Sequence, residues 1–182
     1  MKNVVKKNGI IFGSTGVLGK QISIEVAKSD VNLILHGKSS KKLADLHDQL
    51  KKLNKNITLL QADVTTKEFS ANILNIIYSR FKKIDFIINV IGLFYGLRPL
   101  TNLSHEEWDK LLEINLSSSW RIIKELEPLI KNSNFPKIIF LSNKDISAGK
   151  AYHNTFSIFE SAKRTMLKTL NEENLKLNIE TH

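Results

Sequence analysis

Three regularly spaced glycines are the first residues whose pattern predicts chemistry. They occur in the segment Gly13-Ser14-Thr15-Gly16-Val17-Leu18-Gly19, which follows an apolar stretch and precedes an amphipathic one. A strand, a glycine turn and a helix N-terminus together bind a pyrophosphate, because the backbone approaches closely and the helix dipole favours negative charge. The segment therefore predicts a dinucleotide site with backbone and side-chain contacts at Gly13, Ser14, Thr15, Gly16, Leu18 and Gly19. A tight turn in which the glycines serve only packing is the alternative.

The end of the second predicted strand indicates which dinucleotide binds. An acidic residue there would hydrogen-bond the adenosine ribose, whereas a cation would pair with a 2′-phosphate. The segment from His36 to Lys42 contains no acid. It therefore favours NADP over NAD, with Lys38 as the phosphate partner and Ser39 as a second donor. The alternative is that Lys38 is one more surface lysine.

Strand-like and helix-like stretches alternate along the whole chain, which predicts parallel βαβ units. We expect an α/β fold with a single Rossmann-type, doubly wound parallel sheet flanked by helices, forming one domain over 1–182. The predicted strands are 8–13, 31–36, 57–62, 84–89, 137–142 and 177–180. The predicted helices are 16–29, 67–81, 104–130 and 157–174. A further helix is predicted between the second and third strands, with Leu43, Leu46, Leu50 and Leu53 on one apolar stripe.

Two helix starts carry the spacing of a capping box, in which a Ser side chain and a Glu three residues later satisfy each other's backbone N–H groups. Ser104 with Glu107 predicts the start of one long helix. Ser157 with Glu160 predicts the start of another.

Composition narrows the class of protein. With 182 residues, 42% of them hydrophobic, the chain can form a real core, and without cysteine it has no disulfide and no thiolate metal site. No apolar stretch is long enough to span a bilayer, and no metal-ligand cluster is evident, so we expect a cytoplasmic protein. The net charge of +9 comes mostly from scattered lysines rather than clustered arginines. It therefore indicates a solvated surface rather than a nucleic-acid partner.

Later segments resemble the short-chain dehydrogenase/reductase family. Ala62-Asp63-Val64 is similar to the family's adenine-binding position, and Asn89 and Gly92 match two positions of its N-N-A-G motif. Ile114-Asn115-Leu116 is similar to the helix that carries its catalytic Asn. The resemblance implies that Asp63 and Val64 contact the adenine and that Asn115 holds a water molecule. A helical Asn with purely structural partners is the alternative.

The resemblance also implies catalytic residues, and here the chain departs from the family pattern. The family uses a Tyr as proton donor, a Lys one turn later that binds the nicotinamide ribose, and a Ser at the preceding strand end. Lys163 matches the lysine, and Ser142 or Asn143 matches the serine, but Phe159 occupies the tyrosine position. A phenyl ring has no proton to give. Phe159→Tyr is then expected to raise carbonyl reduction by roughly 10²-fold or more.

Other proton donors stay open at this stage: Ser142, water, or one of Tyr152 and Tyr95. Phe159 itself could instead be an ordinary core residue at the start of an amphipathic helix. Three functions remain: an NAD(P)-dependent oxidoreductase acting on an unidentified carbonyl or alcohol, a non-catalytic NADP-binding sensor or scaffold, and a nucleic-acid-binding protein on the same fold, which the scattered lysines favour least.

The chain ends at His182, where the family continues into a segment that covers the substrate. We therefore expect an open site, or one that a partner covers. Apolar residues on the helices after Ser104 and Ser157 predict a homo-oligomer, with the alternative that they pack only inward: Trp120, Ile123, Met166 and Leu170.

Overall fold

The computed structural model describes residues 6–134, 136–142, 144–173 and 180–181. Its strands are β1 (Lys7–Phe12), β2 (Val31–Gly37), β3 (Ile57–Gln61), β4 (Phe86–Asn89), β5 (Lys137–Phe140) and β6 (Glu180–Thr181). Its helices are α1 (Val17–Ala27), α2 (Ser40–Leu50), α3 (Lys67–Arg80), α4 (His105–Leu112), α5 (Ser118–Lys131), α6 (Lys144–Ser147) and α7 (Asn154–Glu173). A 3₁₀ turn covers Leu100–Asn102, and a π-helical segment over Glu113–Ser117 joins α4 to α5.

The strands form one parallel sheet in the order β3-β2-β1-β4-β5-β6. The doubly wound parallel sheet expected from the sequence is confirmed. The strand order reverses between β1 and β4, and ligands of such sheets bind beyond the carboxyl ends of the strands at that point. The chain after Phe12 and the chain after Asn89 both begin there.

Helices cover both faces of the sheet. Apolar residues of α3, α5 and α7 pack on one face around Ile10, Ile87 and Ile138. Residues of α1 and α2 pack on the other face around Ile11 and Leu33. Strands buried on both sides explain why their sequences are nearly continuous apolar runs. Among the described residues, no helix has the length and apolarity to cross a bilayer.

Most predicted element boundaries hold within two residues, but the predicted stripe of α2 is wrong at Leu53. The helix ends at Leu50, and Leu53 is 50% exposed beyond it. The reason is Asn54, which is buried and donates from Nδ2 to the carbonyl oxygen of Val31 at 2.9 Å. This contact turns the chain toward β2 and takes Leu53 out of the helix.

The first capping box is confirmed. Ser104 Oγ accepts from the Glu107 N–H at 3.2 Å, and a Glu107 carboxylate oxygen accepts from the Ser104 N–H at 3.0 Å. The helix that starts there is not continuous to residue 130, because the π-helical segment interrupts it.

The second capping box is wrong. Helix α7 begins three residues earlier than expected, at Asn154, so Ser157 and Glu160 lie inside the helix and are buried. The earlier start follows from a turn in which Tyr152 and Asn154 adopt positive φ and Asn154 donates to the Gly96 carbonyl oxygen at 3.0 Å. The end of this helix beyond Glu173 and residues 177–179 of the predicted last strand lie outside the described residues.

Candidate functional site

The glycine loop, residues 13–19, turns sharply between β1 and α1. Gly13 has φ +78°, a conformation that favours glycine, and its carbonyl oxygen accepts from the Gly16 N–H at 3.1 Å. Ser14 is fully buried and donates both its N–H and its hydroxyl to the His36 carbonyl oxygen, at 3.0 and 2.9 Å. The loop is therefore tied to the end of β2.

Gly19 brings α1 close to the loop. A Cβ atom at this position would lie 2.1 Å from the Gly13 carbonyl oxygen, a backbone atom that cannot move aside cheaply. Gly16 precedes the helix and has no side chain with which to cap its first N–H groups. Val17 and Leu18, the first residues of α1, are 86% and 62% exposed. An open, uncapped helix N-terminus on a glycine turn fits an anionic group such as a pyrophosphate.

His36 connects three strand ends. Its ring accepts at Nδ1 from the Gly13 N–H at 3.4 Å, and its Nε2 lies 3.1 Å from the Ala62 carbonyl oxygen. This pairing requires the neutral ring with its proton on Nε2. Burial lowers the pKa of His36 to about 4, against smaller opposing effects of the Ala62 hydrogen bond and the Asp63 charge. His36 thus stays neutral at pH 7 and holds the glycine loop in place.

Lys38 and Asp63 meet at the end of β2. Lys38 Nζ lies 2.6 Å from an Asp63 carboxylate oxygen, and the lysine side chain is 70% exposed. Burial raises the pKa of Asp63, but hydrogen bonds from Lys38 and Thr65 outweigh it and hold the pKa below its ordinary value. Ser39 caps α2 by accepting from the Lys42 N–H at 3.3 Å, which leaves its hydroxyl proton free to donate.

Val64 and Asn89 have structural partners on α5. The Val64 side chain is buried, and its carbonyl oxygen accepts from Arg121 Nη1 at 2.6 Å. Asn89 is buried, donates to Ser119 Oγ at 3.0 Å and accepts from the Ile91 N–H at 3.0 Å. Asn89 therefore shapes the turn that leads from β4 to Gly92.

The π-helical segment aims Asn115 at the chain after β4. Asn115 is fully buried; its Oδ1 accepts from the Leu93 N–H at 2.8 Å, and its Nδ2 donates to the Leu93 carbonyl oxygen at 2.9 Å. π-Helical turns inside α-helices are frequent at functional sites. Here the side chain amide pairs with both backbone groups of one residue, Leu93, as a neighbouring strand would.

A cavity of about 510 Å³, which we call the Lys163 cavity, lies between these segments and α7. Leu18, Gly92, Ser142, Glu160 and Lys163 line it, together with apolar walls from Val90, Ile91, Leu93, Phe94, Leu141 and Phe156. It thus brings the start of α1, the chain after β4 and the predicted catalytic residues Ser142 and Lys163 to one place. Lys163 is 4% exposed, and its Nζ pairs with Glu160 Oε1.

Phe159 is 2% exposed, and its ring packs edge-on against Trp108 with centroids 5.7 Å apart. It is not among the described residues that line the Lys163 cavity, whereas Phe156, Glu160 and Lys163 are. Tyr152 is 63% exposed in the turn before α7. Asn143, the alternative to Ser142, lies outside the described residues.

Sequence reasoning did not anticipate the role of Glu160 or Arg121. The spacing of Glu160 and Lys163 on one helix is the signal for such an ion pair. Arg121 Nη1 bridges Val64 and the Glu113 carboxylate, 2.8 Å away, which no local pattern indicates.

The predicted oligomer face is only partly open. Trp120 is 51% exposed, but Ile123 is buried in the core, and Met166 and Leu170 pack partly against it. The expectation that Ile123 supplies the interface is wrong, because its side chain faces the sheet. Trp120 and Met166 line a shallow cavity of about 520 Å³ with Leu116 and Ala162.

Comparisons with known proteins agree with this geometry. The short-chain dehydrogenase family model matches residues 7–181. The chain is 26% identical over 166 residues to the short-chain dehydrogenase/reductase FrzI of a Cladobotryum species, covering 90% of this chain and 62% of that protein. It is 25% identical over 134 residues to the “Probable NADP-dependent dehydrogenase” of Haemophilus influenzae, covering 74% and 52%.

Solved structures share the fold. The alcohol dehydrogenase of the archaeon Thermococcus sibiricus, solved with 5-hydroxy-NADP, superimposes with a TM-score of 0.86 at 23% identity, covering 97% of this chain and 74% of that one. The chain spans 62% and 52% of the lengths of the two curated relatives named above. Because the family model covers nearly every residue from β1 to β6, this chain belongs to the short-chain dehydrogenase family.

Proposed function

We propose that the chain binds NADP(H) and oxidises or reduces an alcohol/carbonyl pair. The observation that carries this proposal is the Lys163 cavity, whose walls include both Leu18 at the start of α1 and the buried Lys163 of α7. A dinucleotide whose pyrophosphate lies at the glycine loop would have its nicotinamide end within reach of Lys163.

The residues at the glycine loop fit the pyrophosphate. Gly19 allows the helix to approach the loop closely, and the uncapped N-terminus of α1 faces the expected phosphate position. Asp63 and Val64 border the expected adenine end, and Asn89 and Gly92 shape the chain beside the expected nicotinamide end.

Lys38 supports NADP rather than NAD. It is the cation at the end of β2, and its exposed ammonium can exchange the Asp63 carboxylate for a 2′-phosphate. Ser39 has a free hydroxyl proton for the same group. The names of two relatives agree with this choice, since one is described as NADP-dependent and another was solved with an NADP derivative.

Three residues support oxidoreductase chemistry. A bound dinucleotide supplies or accepts the hydride. Lys163 would then hold the nicotinamide ribose, Ser142 would hydrogen-bond the substrate oxygen, and Asn115 would orient the adjoining backbone or a water molecule. The walls at Leu93, Phe94, Leu141 and Phe156 favour an apolar substrate.

Calorimetry with NADP and NAD tests the binding step. We expect NADP to bind more tightly, and Lys38→Asp to raise its dissociation constant by about tenfold or more, because a hydrogen bond to a charged group contributes about 1.5–3 kcal/mol. Lys52→Asp is the matched control, since Lys52 is also an exposed lysine but lies after α2. Equal affinities for the two dinucleotides in the unmutated protein would refute the preference.

Turnover over a panel of apolar ketones and secondary alcohols tests the chemistry. We expect activity that Lys163→Ala abolishes. Tight dinucleotide binding without turnover of any panel member would instead support the sensor or scaffold function. We propose a cytoplasmic homo-oligomer as the working form, and its test follows in the Discussion.

A further inference from the structure

Glu160 is a buried carboxylate with one oxygen unused. The residue is 2% exposed, yet it lines the Lys163 cavity. Its Oε1 pairs with Lys163 Nζ, while its Oε2 has no hydrogen-bond partner within the described part of the chain. Buried polar atoms are nearly always paired, and an exception needs an explanation.

Glu160 borders the cavity because of its position on α7. Phe156, Glu160 and Lys163 are spaced four and three residues apart, which puts them on one face of the helix, and all three line the cavity. Phe159 lies off this face and packs against Trp108. Glu160 and Lys163 are therefore the acid–base groups that the described residues present to the cavity.

A hydroxyl group is the ligand that fits this oxygen. A carboxylate oxygen accepts hydrogen bonds, and an alcohol entering an otherwise apolar pocket offers one O–H donor. The Lys163 ammonium compensates the negative charge of the carboxylate before any proton is transferred. Apart from Ser142 and Lys163, the other side chains that the described residues place around this cavity are apolar and offer no competing donor.

We propose that Glu160 is the proton-transfer residue of this enzyme, taking through Oε2 the proton that an apolar alcohol releases and returning it in the reverse direction. This inference rests on the oxidoreductase function proposed above. The O–H bond of the alcohol breaks and an O–H bond forms on Oε2, while a C=O bond replaces the C–H bond. The oxidised dinucleotide is the co-reactant that accepts the hydrogen of the C–H bond, together with both electrons of that bond, as a hydride. Glu160 thus performs the proton transfer that the phenyl ring of Phe159 cannot perform.

Substitution of the carboxylate tests the catalytic role. Glu160→Gln is expected to lower alcohol oxidation by roughly 10²–10⁴-fold and to leave the dinucleotide dissociation constant within about threefold. Glu173→Gln is the matched control, because Glu173 lies on the same helix but is exposed. Glu160→Asp keeps the negative charge near Lys163 but shortens the side chain by one methylene, and it replaces the Gln variant in this test if that variant does not fold. We expect Glu160→Asp to lower alcohol oxidation by at least tenfold.

A direct measurement does not depend on turnover. In protein labelled with ¹³C at the Glu δ-carbons, the Glu160 resonance is the one absent from the spectrum of Glu160→Asp. Cyclohexanol, added without dinucleotide, should shift this resonance saturably while the Glu173 resonance stays unchanged. An unchanged Glu160 resonance would overturn the proposal.

The outcomes separate the two hypotheses. Turnover in the unmutated protein with full activity in Glu160→Gln overturns the role of Glu160 alone. Absence of turnover in the unmutated protein overturns the proposed function and the proton transfer with it. Phe159→Tyr should change carbonyl reduction by less than about threefold, because its ring packs on Trp108; a rise of roughly 10²-fold would assign the acid to position 159 instead.

Discussion

Removing the side chain amide of Asn115 should lower the free energy of unfolding by more than the loss of so small a group would by itself. The amide is fully buried and makes two hydrogen bonds to the peptide groups of Leu93, at 2.8 and 2.9 Å. Asn115→Ala leaves one donor and one acceptor on the Leu93 backbone without partners. An unpaired buried polar group costs about 1–3 kcal/mol.

The position of Leu93 narrows this range. Leu93 is half-buried and lines the Lys163 cavity, so water can reach its peptide groups in the variant. We therefore take the lower half of the range for each group and expect a total loss of about 2–4 kcal/mol in the free energy of unfolding.

Urea denaturation followed by circular dichroism at pH 7 measures this loss. The control is Asn72→Ala on α3, where an exposed Asn donates to the Glu68 carbonyl oxygen one turn earlier. We expect that change to stay within about 0.5 kcal/mol of the unmutated protein. If the two variants are equally stable, the Asn115 amide does not hold the chain after β4 and the reasoning is wrong.

Three further predictions address the loop, its histidine and the oligomer. Burial lowers the pKa of His36 to about 4, so between pH 6.5 and 4 this histidine is protonated in the unfolded state but neutral in the folded state. The free energy of unfolding should therefore fall by about 3 kcal/mol as the pH is lowered from 6.5 to 4. Urea denaturation at several pH values should show that His36→Gln removes this pH dependence. An unchanged slope in the variant contradicts the assignment. Gly19→Ala puts a Cβ atom 2.1 Å from the Gly13 carbonyl oxygen, whereas Gly16→Ala meets it at 3.4 Å; the first change should cost at least about 1 kcal/mol more in urea unfolding, and equal costs would argue against the close approach. In sedimentation velocity at micromolar concentration the protein should be larger than a monomer, and Trp120→Glu should dissociate it while Tyr78→Glu, at another exposed aromatic, should not; a monomeric unmutated protein refutes this.

Local patterns were sufficient to predict the architecture. Apolar runs, helical stripes and the glycine turn are each formed by residues close together in the sequence. The strands of a parallel sheet that is buried on both faces are nearly continuous apolar runs, which makes them easy to predict. The Ser104 capping box succeeded for the same reason, because its hydrogen bonds connect residues three positions apart. The Ser157 box failed because Asn154 bonds to Gly96, a residue 58 positions away, and the helix starts earlier.

The order of motifs along the sequence therefore determined the fold class, the family resemblance and the position of the glycine loop. Tertiary structure alone decided which side chains share the cavity. Phe159 and Glu160 are adjacent in the sequence, yet successive helical residues point about 100° apart, so one packs on Trp108 and the other meets Lys163. Which of the two faces the cavity depends on how α7 packs against α4, and that contact joins residues some fifty positions apart, beyond the reach of any local pattern.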